Sequence, residues 1–245
     1  MNELHLFAGA GGGILGGEIL GHTTVCAVEI EEYPKQILLQ RQREGILPIF
    51  PVWDDVKTFD GNPWKGRVDC VCGGFPCQDI SVAGKGKGLD GSRSGLWGEQ
   101  KRIIGEVQPW CAFVENSPAL TIRGLNRIIG DFTEMGYSSR WGTLGAGTVG
   151  NVSEGERLWI FAIKANCSML EGLDFQKYIK PYPEEPRRRQ YSRAISKMLS
   201  QDDYSRIKRD SDVISRGMDR FKAIGNAQIP IVAAIAFSIL SEGLI

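Results

Sequence analysis

Leu4-His-Leu-Phe-Ala-Gly-Ala-Gly-Gly-Gly13 is the stretch that decides the fold: a short apolar run breaks into glycines, and Ile14–Leu20 follows with helical spacing. A strand that turns through glycines into a helix opens a nucleotide-binding βαβ unit, and Gly11, Gly13 and Gly16 stand in G-x-G-x-x-G spacing. Glycine in such a turn lets backbone N–H groups approach a ligand at the helix N-terminus. Thr23–Ile30 is β-branched and apolar and ends in acids. That places Glu29 about twenty residues beyond the turn, where it can accept hydrogen bonds from ribose hydroxyls. The pattern leaves NAD, FAD and S-adenosylmethionine equally open.

Further along, Tyr33–Arg43 has helical spacing, and Val68–Cys72 and Cys111–Val114 read as strands. Ser94–Val107 and Thr121–Met135 read as helices, and Leu158–Ile163 as a late strand. Strands alternating with helices predict an α/β protein with a doubly wound, mostly parallel, Rossmann-like sheet. From Ala165 to Gly217 the alternation stops, and the Pro/Glu/Arg stretch Pro181–Arg189 gives way to weakly patterned polar residues. The apolar helix Ile231–Leu240 then resumes core character. The expected organisation is a catalytic and cofactor-binding domain over 1–164, a small region over 165–216, and a segment over 217–245 that packs back on the first.

The chain has 245 residues, 42% of them apolar and 24% charged, as in an ordinary globular protein. No apolar run approaches the ~20 residues of a membrane helix, and the N-terminus does not read as a signal peptide. A cytoplasmic location with six reduced cysteines is therefore expected. Only His5 and His22 are present and there is no second cysteine pair at ligand spacing, so no metal is expected. The net charge of zero is a cancellation: residues 1–175 carry 16 Lys/Arg against 21 Asp/Glu, whereas 176–220 carry 12 against 7. A basic segment beside an acidic body suits a local phosphate-binding surface.

Val68-Asp-Cys-Val-Cys-Gly-Gly-Phe-Pro-Cys-Gln78 carries the chemistry. Cys70 and Cys72 lie inside the strand as small hydrophobes. Cys77 stands at its tip, after two glycines and the stiffening Pro76, at the sheet end where α/β folds bind ligands. With a thiol pKa of about 8.5 and no histidine nearby in sequence, it needs activation from local dipoles or from the substrate. Residues 79–98 contain six glycines together with Lys85, Lys87 and Arg93, and read as a lid whose cations track phosphates. Ala112-Phe-Val-Glu-Asn-Ser-Pro118 puts Glu115 at the end of the next strand, in the same row as Cys77.

Phe-Ala-Gly-Ala-Gly-Gly, Phe-Pro-Cys-Gln, Glu-Asn and Gly225-Asn226-Ala227, in this order and spacing, resemble the DNA (cytosine-5) methyltransferases, the short bacterial and phage members most of all. The resemblance covers about 1–163 and 217–245. It implies that Cys77, shaped by Pro76 and flanked by Gln78, adds to C6 of a flipped-out cytosine. Glu115, with Asn116 beside it, would protonate N3, and Arg157 would contact the base. Phe7, Ala8, Gly9, Gly11, Gly12, Glu29 and Ile30 match the positions that bind S-adenosylmethionine, with Asp55 at the adenine amino group and Asn226 and Ala227 closing the pocket. Residues 165–216 fall in the target-recognition position. There Arg187, Arg188, Arg189, Arg206, Lys208 and Arg209 would join Lys85, Lys87 and Arg93 on double-stranded DNA. A monomer is expected, and a cognate restriction endonuclease cannot be inferred. The family's Gln-x-Arg-x-Arg pattern reads here as Ser153-Glu-Gly-Glu-Arg157, with Gly155 in place of the first arginine. Two other readings stay open: a tRNA cytosine-5 methyltransferase, and a DNA-binding relic with impaired turnover.

Overall fold

The computed structural model describes residues 1–76, 96–146, 155–164, 170–172 and 228–244. Among them, eight strands form one sheet in the order β3-β2-β1-β4-β5-β7-β6-β8. They are β1 (Asn2–Leu6), β2 (Thr23–Val28), β3 (Val52–Trp53), β4 (Cys70–Gly73), β5 (Cys111–Asn116), β6 (Tyr137–Leu144), β7 (Arg157–Lys164) and β8 (Leu170–Gly172). The first five run parallel; β7 pairs antiparallel with both β5 and β6, and β8 runs parallel to β6. The chain winds outward from β1 through β2 to β3, then returns to place β4 and β5 on the other side. The resulting switch point lies between β1 and β4, whose carboxyl ends feed the Gly-rich turn and the Gly73–Pro76 turn. Parallel sheets bind ligands at that crevice.

Among the described residues six α-helices cover the sheet: α1 (Gly12–Ile19), α2 (Glu32–Arg43), α3 (Leu96–Val107), α4 (Leu120–Arg123), α5 (Leu125–Glu134) and α6 (Pro230–Ser241). Alternation along β5 shows how both faces are filled. Ala112 and Val114 join Ile103, Ile104, Ile128 and Phe132 of α3 and α5 on one side. Cys111 and Phe113 join Ala233, Ala236 and Phe237 of α6 on the other. Strands sandwiched this way need continuous apolar sequence, which explains why β4, β5 and β7 are readable from residue type alone.

The short strands β3 and β8 are absent from the sequence reading, and β8 joins the sheet beside β6 although it lies in the 165–216 stretch expected to stand apart from it. Two longer elements also differ from expectation. Thr121–Met135 is not one helix: α4 ends after Arg123, and α5 starts afresh with Gly124 as its N-cap. Tyr137–Leu144 is a strand that the sequence reading lacks, because Ser138 and Ser139 are buried and blur its apolar alternation.

β1 also carries a polar knot. Glu3 Oε2 lies 2.9 Å from His5 Nε2, and Glu3 Oε1 lies 2.8 Å from His22 Nδ1, just beyond α1. Burial pushes the Glu3 carboxyl up, but the two imidazoles outweigh it and bring the pKa down to about 2. Cys72 Sγ, a His5 nitrogen and a Glu3 oxygen lie within 4.8 Å of one another, a potential ligand group formed by residues far apart in sequence. Both carboxylate oxygens are taken up by the histidines, so the knot is satisfied by internal pairing.

Candidate active site

The Gly-rich turn is held in an unusual backbone conformation. Phe7, Gly9 and Gly11 have φ of 53°, 54° and 85°. That is routine for glycine but costly for phenylalanine, so its neighbours must over-determine the turn. They do: Ala8 N donates to Val28 O at 3.0 Å, Gly11 N to Ala8 O at 3.0 Å, and the Arg41 guanidinium to Ala10 O. Glu29 clamps the same turn from the end of β2. Its Oε2 accepts from Gly9 N and its Oε1 from Glu31 N, each at 2.7 Å. Burial raises the Glu29 pKa, opposed by these two N–H groups. The Ile30 N–H also lies on this carboxylate, whose two oxygens together offer about four acceptor directions, so capacity remains for a ligand. The N-cap of α1 is Gly11, which has no side chain to cap the first turn, so the helix N-terminus suits backbone N–H donation to a ligand. Ile30 and Trp53 are exposed apolar side chains at the ends of β2 and β3. Asp55 lies in the turn after β3, where its Oδ1 accepts from Lys57 N at 3.0 Å.

The other side of the switch point begins at Gly73-Gly74-Phe75-Pro76. Asn116 Nδ2 donates to Phe75 O at 3.0 Å, tying the turn ahead of Cys77 to the end of β5. Glu115 is buried, and its Oε1 lies 3.0 Å from Arg157 Nε at the start of β7. Register explains the meeting: antiparallel β7 sets Leu158 against Asn116 and Trp159 against Glu115, which brings its first residue back to the carboxyl end of β5. Arg157 reaches Glu115 although Gly155 stands two residues before it. Burial pushes the Glu115 carboxyl up to about 7, against the opposing pull of the Arg157 charge and the Gln228 amide. A cavity of about 50 Å³ joins the two halves, with Phe7, Gly9, Gly74, Glu115 and Gln228 in its wall.

Gln228 was missed by the sequence reading. It directly follows the Gly225-Asn226-Ala227 stretch quoted above, yet nothing in local sequence signals that its amide faces an acid 113 positions away. The structure thus gathers Phe7, Ala8, Gly9, Gly11, Gly12 and Glu29 at one mouth, and Pro76, Glu115, Asn116 and Arg157 at the other. Cys77, Gln78, Lys85, Lys87, Arg93, Arg187, Arg188, Arg189, Arg206, Lys208, Arg209, Asn226 and Ala227 lie outside the described residues.

This fold is found in known proteins. The S. pombe Dnmt2 methyltransferase has the same fold: it superposes with a TM-score of 0.57 at 16% identity, over 76% of this chain and 56% of that one. Type II methyltransferase M.NgoMIV of Neisseria gonorrhoeae is 32% identical over 198 residues, 76% of this chain and 57% of that protein. Type II methyltransferase M.Eco47II of Escherichia coli is 36% identical over 139 residues, 55% of this chain and 32% of that protein. The chain thus spans from about a third to under three-fifths of the length of these curated relatives. The family model for C-5 cytosine-specific DNA methylase matches residues 1–229. With nearly the whole chain inside that match, the protein belongs to the C-5 cytosine-specific DNA methylase family.

Proposed function

We propose that the chain transfers a methyl group from S-adenosylmethionine to C5 of a flipped-out cytosine in a short site of double-stranded DNA. The observation that carries this reading is Glu115, an acid buried at the end of β5 with a pKa near 7, facing a nucleotide-type turn across the switch point. The residues present suit the cofactor. The N-terminus of α1 suits backbone N–H donation, Glu29 keeps acceptor capacity for ribose hydroxyls, and the exposed Ile30 offers an apolar face for the base. Phe7, Ala8, Gly9, Gly11, Gly12, Glu29, Ile30 and Asp55, with Asn226 and Ala227, would hold S-adenosylmethionine, which supplies an electrophilic methyl group when bound.

The chain's own residues then have distinct tasks. Cys77, presented by Pro76, adds through its sulfur to C6 of the cytosine. Glu115, protonated in part at neutral pH, donates to N3 and neutralises the negative charge that addition places in the ring. C5 thereby becomes nucleophilic enough to take the methyl group. Transfer of the C5 proton to water, breaking of the C6–sulfur bond to free the Cys77 thiolate, and return of the N3 proton to Glu115 restore the enzyme. Arg157 orients Glu115 and restrains its pKa. A stacked base presents neither carbon to such attack, so the cytosine must leave the duplex, at a cost of roughly a few kcal/mol. Residues 165–216 act as a small target-recognition region on the domain over 1–164, and 217–245 packs back on that domain. The protein works as a cytoplasmic monomer. Among the described residues no helix is long and apolar enough to cross a membrane.

Duplex DNA carrying 5-fluorocytosine tests the mechanism. The fluorine cannot leave as the proton does, so a covalent protein–DNA adduct should accumulate when cofactor is present. Cys77→Ser should abolish the adduct with cofactor affinity nearly unchanged. No adduct on any cytosine-rich duplex, with cofactor demonstrably bound, would leave the impaired-relic reading. Methylation of a tRNA transcript in preference to duplex DNA would establish the RNA reading.

A further inference from the structure

We infer that Gln228 is a positioning residue for Glu115: its side-chain amide holds the carboxylate oxygen that Arg157 leaves, and it joins the acid to both glycine turns of the site. Glu115 has two oxygens and each has its own neighbour. Arg157 Nε lies 3.0 Å from Oε1, and Gln228 Nε2 lies 3.4 Å from Oε2. The second pairing sits directly on bare backbone. A Cβ on Gly74 would stand 2.5 Å from Glu115 Oε2 and 3.3 Å from Gln228 Nε2. Gly74 lies two residues before Pro76, so the amide and the carboxylate meet at the entrance to the Cys77 turn.

Gln228 touches the nucleotide-type turn as well. A Cβ on Gly12 would fall 1.9 Å from Gln228 O, and one on Gly13 would fall 2.4 Å from Gln228 Oε1. Side chains at positions 12, 13 or 74 would therefore displace it. The residue is anchored from behind: Ile229 is the N-cap of α6 and Pro230 its first residue. That helix packs against α1 closely enough that a Cβ on Gly16 would lie 3.0 Å from both Pro230 O and Ala233 Cβ. An amide fixed at its backbone and donating to a buried carboxylate limits where that carboxylate can point. Donation to the charged form also favours ionisation and counters the effect of burial on Glu115.

The inference deepens the proposed role of Glu115 and takes its catalytic meaning from that reading, but the linkage can be measured without turnover. In the full chain labelled with carbon-13 at the glutamate carboxyl, the Glu115 signal is identified by its loss in Glu115→Gln. The side-chain amide resonances of Gln228 should shift with the same pH midpoint as Glu115. Gln228→Met, which keeps the bulk and removes the donor, should raise that midpoint by roughly 0.5–1 pH unit. Gln228→Glu should raise it further. In methyl transfer, Gln228→Met should lower kcat, leave KM for S-adenosylmethionine within about twofold, and move the alkaline limb of the pH profile upward by the same interval as the Glu115 midpoint. The inference is overturned if the Gln228 amide ignores the Glu115 titration, or if both variants keep the wild-type midpoint. It is equally overturned if Gln228→Met lowers Tm and rate together without moving the alkaline limb. Absence of 5-fluorocytosine trapping alongside a shared midpoint would defeat the methylation reading and leave the Gln228–Glu115 link standing. Trapping without a shared midpoint would defeat the link alone.

Discussion

A carboxylic acid that is 9% exposed and has an arginine at 3.0 Å would ordinarily be held ionised, yet burial raises Glu115 to about 7. Desolvation wins because removing the charge from water costs more than one partly exposed cation returns. The direction of the pH effect follows. If the protonated form serves N3, its population falls as pH rises through about 7, and methyl transfer should lose rate on that side. Glu115→Gln keeps a donor but cannot pass on a proton. The expected result is a loss of roughly 10²–10⁴-fold in single-turnover methyl transfer, with the alkaline limb abolished. A limb that persists in Glu115→Gln would assign it to another group. Adjacency to Asn116 at a strand end made Glu115 legible as a candidate. Its pKa was not, because burial and the partners Arg157 and Gln228 come from segments brought together only by folding.

Helix α1 contains glycines at 12, 13, 16 and 17, which by intrinsic propensity should weaken it. Each is required by what lies against it. A Cβ at Gly17 would stand 2.1 Å from Glu3 Oε2, whereas one at Gly105 in α3 would meet nothing within 4 Å. The same substitution should therefore have opposite signs in the two helices. Gly105→Ala is expected to stabilise by up to about 1 kcal/mol, and Gly17→Ala to destabilise by roughly 1–3 kcal/mol, both read from urea unfolding midpoints. Equal effects would mean that α1 is not packed on β1 as described. Apolar periodicity located α3 and α6 well, since both bury long stripes. It ran α4 and α5 together because the break at Gly124 concerns backbone rather than hydrophobicity.

The Glu3–His5–His22 knot operates at the scale of the whole molecule, joining β1 to the segment beyond α1 beneath the site. With Glu3 lowered from 4.5 to about 2, the native state favours its ionised form. That contribution is present above the unfolded value near 4.5 and is lost as pH falls towards 2, an effect on the order of 3 kcal/mol. Unfolding free energy should drop more steeply between those pH values in the wild type than in Glu3→Gln. The variant itself should be less stable at neutral pH. Parallel slopes would remove the knot from the list of stabilising features.

Residue order alone determined the alternation of strands and helices, the Gly-rich turn, the acid ending β2, and Glu115 as a strand-end residue. These features are local: they depend on side-chain type, on period, and on where glycine or proline interrupts a run. Tertiary structure decided that Arg157 meets Glu115, through the antiparallel register of β7, and that Gln228 completes the site from the far end of the chain. It also brought Glu3, His5, His22 and Cys72 together beneath α1. Contacts of this kind depend on sheet order and helix packing, which join residues more than 200 positions apart, as Gly16 and Ala233 are, and leave no periodic trace in the sequence.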